Sequence, residues 1–337
     1  MDVRSALARV VARESLHETE MEALFRQIMD GAVTPAQIAG LLVALRMKGE
    51  TVEEITGAVR AMRAHAAAVH PRAAIVVDTC GTGGDQRGTF NISTAAALIA
   101  AGAGLTIAKH GNRAMSGTVG GADVLEALGV KIDLPVERVA ACIDTVGLGF
   151  LFAPLFHPAM RHAAGPRREL GVRTIFNLIG PLSNPAGARH QVVGVFAAQW
   201  TEPLAQALGR LGSLHALVVH GEDGLDEISL AAPTQVSEWK EGTLRTFRVT
   251  PEELGFKRCR DGDLDGGDQH AAASIIRGIV AGAAGPRADI AVLNAAAAIY
   301  VGGLVPSLAA GIDRARDAIR SGRARQKLEQ LIEFTQR

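Results

Sequence analysis

The chain has 337 residues, enough for one large domain or two ordinary ones, and nearly half of them are apolar, so a sizeable core can be buried. Its 35 basic and 35 acidic side chains cancel to zero net charge, which argues against nucleic acid or an anionic membrane as the main partner. Three cysteines, Cys80, Cys142 and Cys259, stand far apart without CxxC spacing, which excludes a disulfide framework and a cysteine zinc site and fits a reducing cytoplasm. The first residues are charged and amphipathic without the apolar stretch of a signal peptide, and no run approaches membrane-spanning length.

Residues 2 to about 70 read as helical. Apolar residues recur at Leu7, Val10 and Val11, then at Met21, Leu24, Phe25 and Ile28, with three- and four-residue spacing. Asp30-Gly31 ends one helix, Thr34-Pro35 caps the next, and Thr51 with Glu54 forms a capping box. His70-Pro71-Arg72 reads as a hinge. From Ile75 the pattern alternates. Residues 75–77, 105–108, 192–196 and 216–220 are strand candidates, and residues 93–101, 122–128, 136–146 and 202–211 are helix candidates. That alternation predicts an α/β fold with a mostly parallel, doubly wound sheet. Residues 149–173 mix aromatics, prolines and basic side chains and read as a crossover between domains. The pair Ser229-Leu230 and the segments 234–236 and 245–249 read as antiparallel pieces, residues 261–268 as a turn-rich loop, and everything from His270 as helical. The expected organisation is a helical domain over residues 1–70, joined by a crossover segment of about 150–190, and an α/β domain over 71–149 and 191–337.

The chemistry is densest between Ile75 and Arg113. A strand runs into Gly81-Thr82-Gly83-Gly84-Asp85, and Asn91-Ile92-Ser93-Thr94 then opens a helix. Glycines admit a ligand close to the backbone, and a helix N-terminus favours an anion. The loop is neither a P-loop nor a dinucleotide fingerprint, since no Gly-Lys-Ser/Thr and no Gly-x-Gly-x-x-Gly can be laid on it. A second unit, Lys109-His110-Gly111-Asn112-Arg113, follows the next strand, with Ser116 beyond. Two phosphate-type loops so close suggest a ligand with phosphates in more than one place. The bland readings are a tight capped turn and a solvated Lys/Arg pair, but both units fall where open α/β sheets bind ligands. His110 alone reads equally well as a structural hydrogen-bonder. Asp226-Glu227 reads as a magnesium ligand pair once phosphates are present, although a lone acidic pair is commonly a surface feature. Arg161, Arg167 and Arg168, near His157, offer guanidinium groups for a carboxylate; the bland reading is a basic helix face. No nucleophile elbow and no HExxH occurs, so the site reads as one that positions phosphate and metal with little acid–base machinery.

These motifs, with Ala122-Asp123-Val124-Leu125-Glu126-Ala127-Leu128-Gly129, His157-Pro158-Ala159-Met160, Arg173-Thr174-Ile175-Phe176-Asn177, Gly180-Pro181-Leu182-Ser183-Asn184-Pro185, Leu225-Asp226-Glu227 and the helix at Leu293-Asn294, resemble the anthranilate phosphoribosyltransferase family of tryptophan biosynthesis, in order and over nearly the whole chain. The resemblance implies a small helical and a larger α/β domain with the active site between them, a homodimer formed through the helical domain, Mg²⁺ and phosphoribosyl pyrophosphate (PRPP). It assigns Gly81, Gly83, Gly84, Asp85, Thr89, Asn91, Ser93, Thr94, Lys109 and Ser116 to PRPP. It assigns Gly81, His110, Asn112, His157, Arg167 and Pro181 to anthranilate, and Ser93, Asp226 and Glu227 to one or two magnesium ions. Lys109, Asn112 and Arg167 are the residues it makes catalytic. Gly117, Val119 and Gly121 stand where the family often has serines, and Ala271-Ala272 where it usually has a Glu-Asn pair.

The implied reaction is phosphoribosyl transfer to the amine of anthranilate. A neutral aromatic amine needs no strong base before attack, which agrees with the missing acid–base pair. Two other readings are a nucleoside phosphorylase of the pyrimidine type and a non-catalytic paralogue that binds a phosphorylated metabolite or nucleic acid.

Overall fold

The computed structural model describes residues 2–83, 87–114, 119–260 and 262–337. Four helices open the chain: α1 (Val3–Val11), α2 (Glu18–Met29), α3 (Pro35–Lys48) and α4 (Val52–Ala64). Asp2, Thr34 and Thr51 accept first-turn N–H groups of α1, α3 and α4, as capping chemistry demands. In α1 the buried stripe is Val3, Ala6 and Val10, while Val11 is 67% exposed, so the apolar run overreaches the buried face by one residue.

The alternating region follows: β1 (Val77–Gly81), α5 (Ile92–Gly102), β2 (Ile107–Gly111), α6 (Gly121–Ala127), α7 (Val136–Val146), β3 (Leu148–Phe152), α8 (Ala153–Phe156), α9 (Arg161–Leu170), α10 (Ile175–Ile179), β4 (His190–Gly194), α11 (Thr201–Arg210) and β5 (His215–Gly221). Strands β6 (Thr234–Lys240) and β7 (Thr243–Val249) precede the closing helices α12 (Gln269–Val280), α13 (Pro286–Val301), α14 (Leu308–Arg320) and α15 (Arg323–Gln336).

The sheet order is β3-β2-β1-β4-β5-β6-β7; the first five strands are parallel and the last two antiparallel. Several expectations need correction. Both β1 and β2 begin about two residues later than their β-branched runs, and Ile75 is 44% exposed. Lys109, His110 and the glycines Gly81 and Gly111 are therefore strand residues, because β4 pairs with β1 through Gly81 and β3 pairs with β2 through Gly111, past the apolar stretch. The segment from Gly149 is not a crossover at its start: Leu148–Phe152 is the edge strand β3, and α8 and α9 follow. Ser229-Leu230 is not a strand but a turn that closes on Thr234 through a Ser229 N–H to Oγ1 hydrogen bond of 2.9 Å.

Alternation divides the strand side chains between two faces. Val77, Ile107, Val192, Leu217 and Val219 join α5, α13 and the C-terminal helices in one core. Cys80, Val193, Val195, Ala216 and Val218 face α11, α10 and the N-terminal bundle in a second. The bundle is thus packed directly onto the sheet. Arg63 of α4 reinforces the joint, donating from Nε and Nη2 to the Leu182 carbonyl at 2.9 and 2.6 Å. Strand order reverses between β1 and β4, and the crevice beyond their carboxyl ends is where open α/β sheets bind ligands.

Candidate active site

The end of β2 carries two functional side chains on opposite faces, as a period of two requires. Lys109 points toward α5. Its Nζ donates to the Thr79 carbonyl at 2.6 Å and to Ser93 Oγ at 2.9 Å, and the residue is only 4% exposed. Burial pushes its pKa down, while the charges of Asp78, Cys80, Glu227 and Asp226 oppose that shift. Both residues of the acidic pair therefore lie within electrostatic reach of the ammonium. At the start of α5, Asn91 takes a left-handed φ of 64°, and Thr94 Oγ1 donates to Asn91 Oδ1. The rare backbone state sets Ser93 and Thr94 on the first turn of the helix.

The acidic turn arrives from the β5–β6 connection. Gly83 N–H donates to Asp226 Oδ2 at 2.9 Å. Two glycines make room for it at the strand-order reversal. A Cβ on Gly81 would stand 2.8 Å from Asp226 Oδ2, and one on Gly194 only 1.5 Å from the Asp226 carbonyl oxygen. Gly194→Ala is accordingly expected to displace the acidic turn and to cost about 1–3 kcal/mol as an overpacked core does. A wild-type denaturation midpoint for that variant would show the turn to be looser than this. Asn294, read from the sequence only as the start of a packed core helix, holds the turn from behind. Its Oδ1 accepts Ile228 N–H at 2.9 Å and its Nδ2 donates to the Ile228 carbonyl at 3.0 Å. The signal for it was a single amide in an otherwise apolar, alanine-rich helix.

On the other face of β2, His110 borders a cavity of about 560 Å³. Gly81, Asn112, His157, Arg167 and Pro181 line the same cavity, so all six residues assigned to the aromatic substrate meet in one place. Cys80, Met160, Phe176 and Asn177 line it too; the last three were named from the sequence only within motifs, and none of the four was assigned to the site. Arg167 lies over the Phe176 ring at 5.0 Å, and burial lowers its pKa. The His110 and His157 rings are 5.1 Å apart. Burial drives both below the usual histidine range, His157 to about 4, so both are neutral at pH 7. Asp78, fully buried beneath them, accepts the His110 backbone N–H at 3.0 Å, and burial raises its carboxyl pKa.

The histidines set a pH dependence of stability. The folded pKa of His157, about 4, lies below its ordinary 6.5, so the unfolded chain binds more protons between those values. Stability present above pH 6.5 is therefore lost as pH falls toward 4, up to about 3 kcal/mol from this residue. His157→Asn should flatten the fall in urea midpoint between pH 7 and 5, and an unchanged slope would clear His157 of that role.

Thr89 forms a backbone bridge with Asp265, and Gly266 N–H donates to the Gly88 carbonyl at 2.8 Å, which ties the glycine loop to the segment before α12. Gly84, Asp85, Ser116 and Gly117 lie outside the described residues. Among the described residues no group of three or more His, Cys, Asp or Glu side chains forms a metal cluster. The pair Asp226-Glu227 with Ser93 nonetheless fits Mg²⁺, which takes hard oxygen donors and typically only one or two carboxylates, with phosphate oxygens and water completing the shell.

Residues 73–325 match the α/β domain of a glycosyl transferase family, and residues 4–66 match its helical bundle domain. Anthranilate phosphoribosyltransferase of Thioalkalivibrio sulfidiphilus is 55% identical over 335 residues, covering 99% of each chain. The chain belongs to the anthranilate phosphoribosyltransferase family. The crystal structure of the family member from Thermus thermophilus matches with a TM-score of 0.94 at 46% identity over 100% of both chains. That from Saccharomyces cerevisiae, in complex with PRPP and Mg, matches with a TM-score of 0.90 at 27% identity, over 99% of this chain and 98% of the other. The helical-plus-α/β architecture with its mostly parallel seven-stranded sheet is the fold of this family.

Proposed function

We propose that this chain transfers the phosphoribosyl group of PRPP to the amine of anthranilate, giving N-(5-phosphoribosyl)anthranilate and pyrophosphate, the second step of tryptophan biosynthesis from chorismate. The observation that carries the reading is the end of β2: Lys109 faces the helix N-terminus and acidic turn, and its neighbour His110 faces the apolar cavity. One strand thus sets a phosphate-binding cation and an aromatic pocket back to back.

The glycine loop, Asn91, Ser93, Thr94 and Lys109 hold PRPP, with Gly84, Asp85, Thr89 and Ser116 assigned by the resemblance. Arg167 holds the anthranilate carboxylate, and His110, Asn112, His157 and Pro181 hold its ring. The amine nitrogen bonds to C1′ as the bond from C1′ to the pyrophosphate oxygen breaks, and the electron pair leaves with pyrophosphate. Lys109 offsets the charge that gathers there. Asp226 and Glu227, with Ser93, would hold Mg²⁺, which when bound neutralises pyrophosphate oxygens. The amine loses its proton only after the N–C bond forms, so a neutral histidine wall suffices.

The expected division of labour follows the boundaries above: residues 1–70 with about 150–190 as a helical domain, and 71–149 with 191–337 as the PRPP-binding domain. A homodimer through the helical domain is part of this proposal. Val11 and Met47 are 67% and 69% exposed there, and Arg13 Nη1 donates to the Met47 carbonyl at 3.5 Å, which ties the chain just after α1 to the end of α3. A cytoplasmic setting fits three free cysteines. No helix among the described residues is long and apolar enough to cross a membrane.

The test is the loss of anthranilate fluorescence on adding PRPP with Mg²⁺ and then with EDTA. Mg²⁺-dependent decay is expected. Absent decay in folded protein that still binds PRPP would overturn the reading in favour of a paralogue, and phosphorolysis of thymidine or uridine in favour of a nucleoside phosphorylase. Glu227→Gln should raise the Mg²⁺ concentration for half-maximal rate by on the order of tenfold, the loss of about 1.4 kcal/mol of ligand interaction. An unaltered Mg²⁺ dependence would remove Glu227 from the metal site.

A further inference from the structure

We propose that Asp123 is a positioning residue for the PRPP side of the site, acting as a clamp on the connection between β2 and α6. The proposal rests on the reading that Lys109, Thr94 and Asn91 face PRPP. Asp123 Oδ2 accepts two backbone N–H groups from opposite ends of that connection, Ala114 at 3.1 Å and Gly120 at 2.9 Å. Its Oδ1 accepts Arg113 Nη1 at 3.0 Å. Arg113 also grips Glu126 with both Nη atoms and lies over the Phe152 ring at 5.5 Å. Burial alone would raise the Asp123 pKa, and the two N–H groups with Arg113 outweigh it and hold the carboxyl below its usual range.

The two ends touch through their backbones. A Cβ on Gly120 would lie 2.3 Å from Ala114 N, 2.5 Å from Arg113 C and 2.8 Å from the Asn112 carbonyl oxygen, so only glycine permits this closure. One residue on, a Cβ on Gly121 would stand in ordinary contact with Thr94 Oγ1, Asn91 Oδ1 and Lys109 Cε, at 3.6, 3.7 and 3.9 Å. The clamp therefore opens straight onto the phosphate-facing residues. The cavity side has separate anchors. The Asn112 carbonyl accepts Ala122 N–H at 3.2 Å, and Asn112 Oδ1 accepts Arg113 N–H at 2.8 Å. Asn112 thus has two bonds that Asp123 does not make, so loss of the clamp bears more on PRPP than on the aromatic pocket.

The experiment measures Kd for PRPP by calorimetry, KM for each substrate and melting temperature in Asp123→Ala, Asp123→Asn, Glu126→Gln and Gly120→Ala. In Asp123→Ala the Kd and KM for PRPP should rise about tenfold, the loss of two charge-assisted hydrogen bonds at the clamp, with anthranilate KM changed less than about twofold. Asp123→Asn keeps an oxygen that accepts both N–H groups and should return PRPP affinity to within about threefold of wild type. Glu126→Gln, at the exposed end of the network, should match wild type. An unchanged PRPP affinity in Asp123→Ala, an equal rise for both substrates, or an asparagine variant as poor as the alanine one would overturn the proposal. If Asp123→Ala does not fold, Gly120→Ala must raise the Kd for PRPP, and normal PRPP affinity in that variant would overturn it. A wild-type protein that binds PRPP but never consumes anthranilate would sink the transferase reading and leave the clamp testable by calorimetry.

Discussion

Lys109→Met is expected to lower kcat/KM for PRPP by roughly 10²–10³, the range for deleting one preorganised group aimed at developing charge. On the proposed reading the ammonium faces the leaving pyrophosphate; the Thr79 carbonyl and Ser93 Oγ hold it. Its burial makes each electrostatic contact stronger than it would be in water. Stability should move far less. The substitution strands two acceptors, at about 1–3 kcal/mol, and also removes the cost of keeping an ammonium at 4% exposure, so the two effects oppose each other. Steady-state kinetics and a urea melt separate them. A variant that keeps more than a tenth of wild-type kcat/KM would show that Lys109 serves the fold and not the leaving group.

The second large effect falls on the other substrate. Arg167→Ala should raise anthranilate KM by roughly 10–100-fold, the worth of a charge-assisted hydrogen bond to a carboxylate, with KM for PRPP near wild type. The guanidinium is presented by α9 and lies over the Phe176 ring at 5.0 Å. Partial burial lowers its pKa, so an incoming carboxylate meets a cation that has already lost some of its hydration. An unchanged anthranilate KM would remove Arg167 from the carboxylate role and turn attention to Arg161 and Arg168, which line the same cavity. Lysine at this position would supply charge without the planar fork and should recover only part of the affinity.

Much of this was legible in the residue order because it depends on local physics. The caps at Thr34 and Thr51, the α7 span and the alternation of strands with helices follow from hydrogen bonding and periodicity within a few residues. The glycine loop and the Lys109–Arg113 unit were visible as chemistry because glycine, lysine and hydroxyl residues concentrate there. Strand ends were misplaced for a physical reason. The apolar runs end at Val77 and Ala108, but parallel neighbours keep the ladder going through the polar residues of the candidate site. β3 escaped because its LGFLF pattern merges into the following prolines and aromatics, and its partner β2 is distant in sequence.

The sequence by itself determined most element types, the caps at Thr34 and Thr51 and the chemical inventory: a phosphate-type loop, a lysine unit, an acidic pair and an arginine cluster. Each follows from interactions among near neighbours. Only the tertiary structure decided that His110, Asn112, His157, Arg167 and Pro181 share one cavity, that Asp226 rests on Gly81 and Gly194 at the strand-order reversal, and that Asn294 braces the acidic turn from α13. These contacts join residues tens to more than a hundred positions apart. They depend on strand order and on which face each side chain takes, and a one-residue shift of register would undo them.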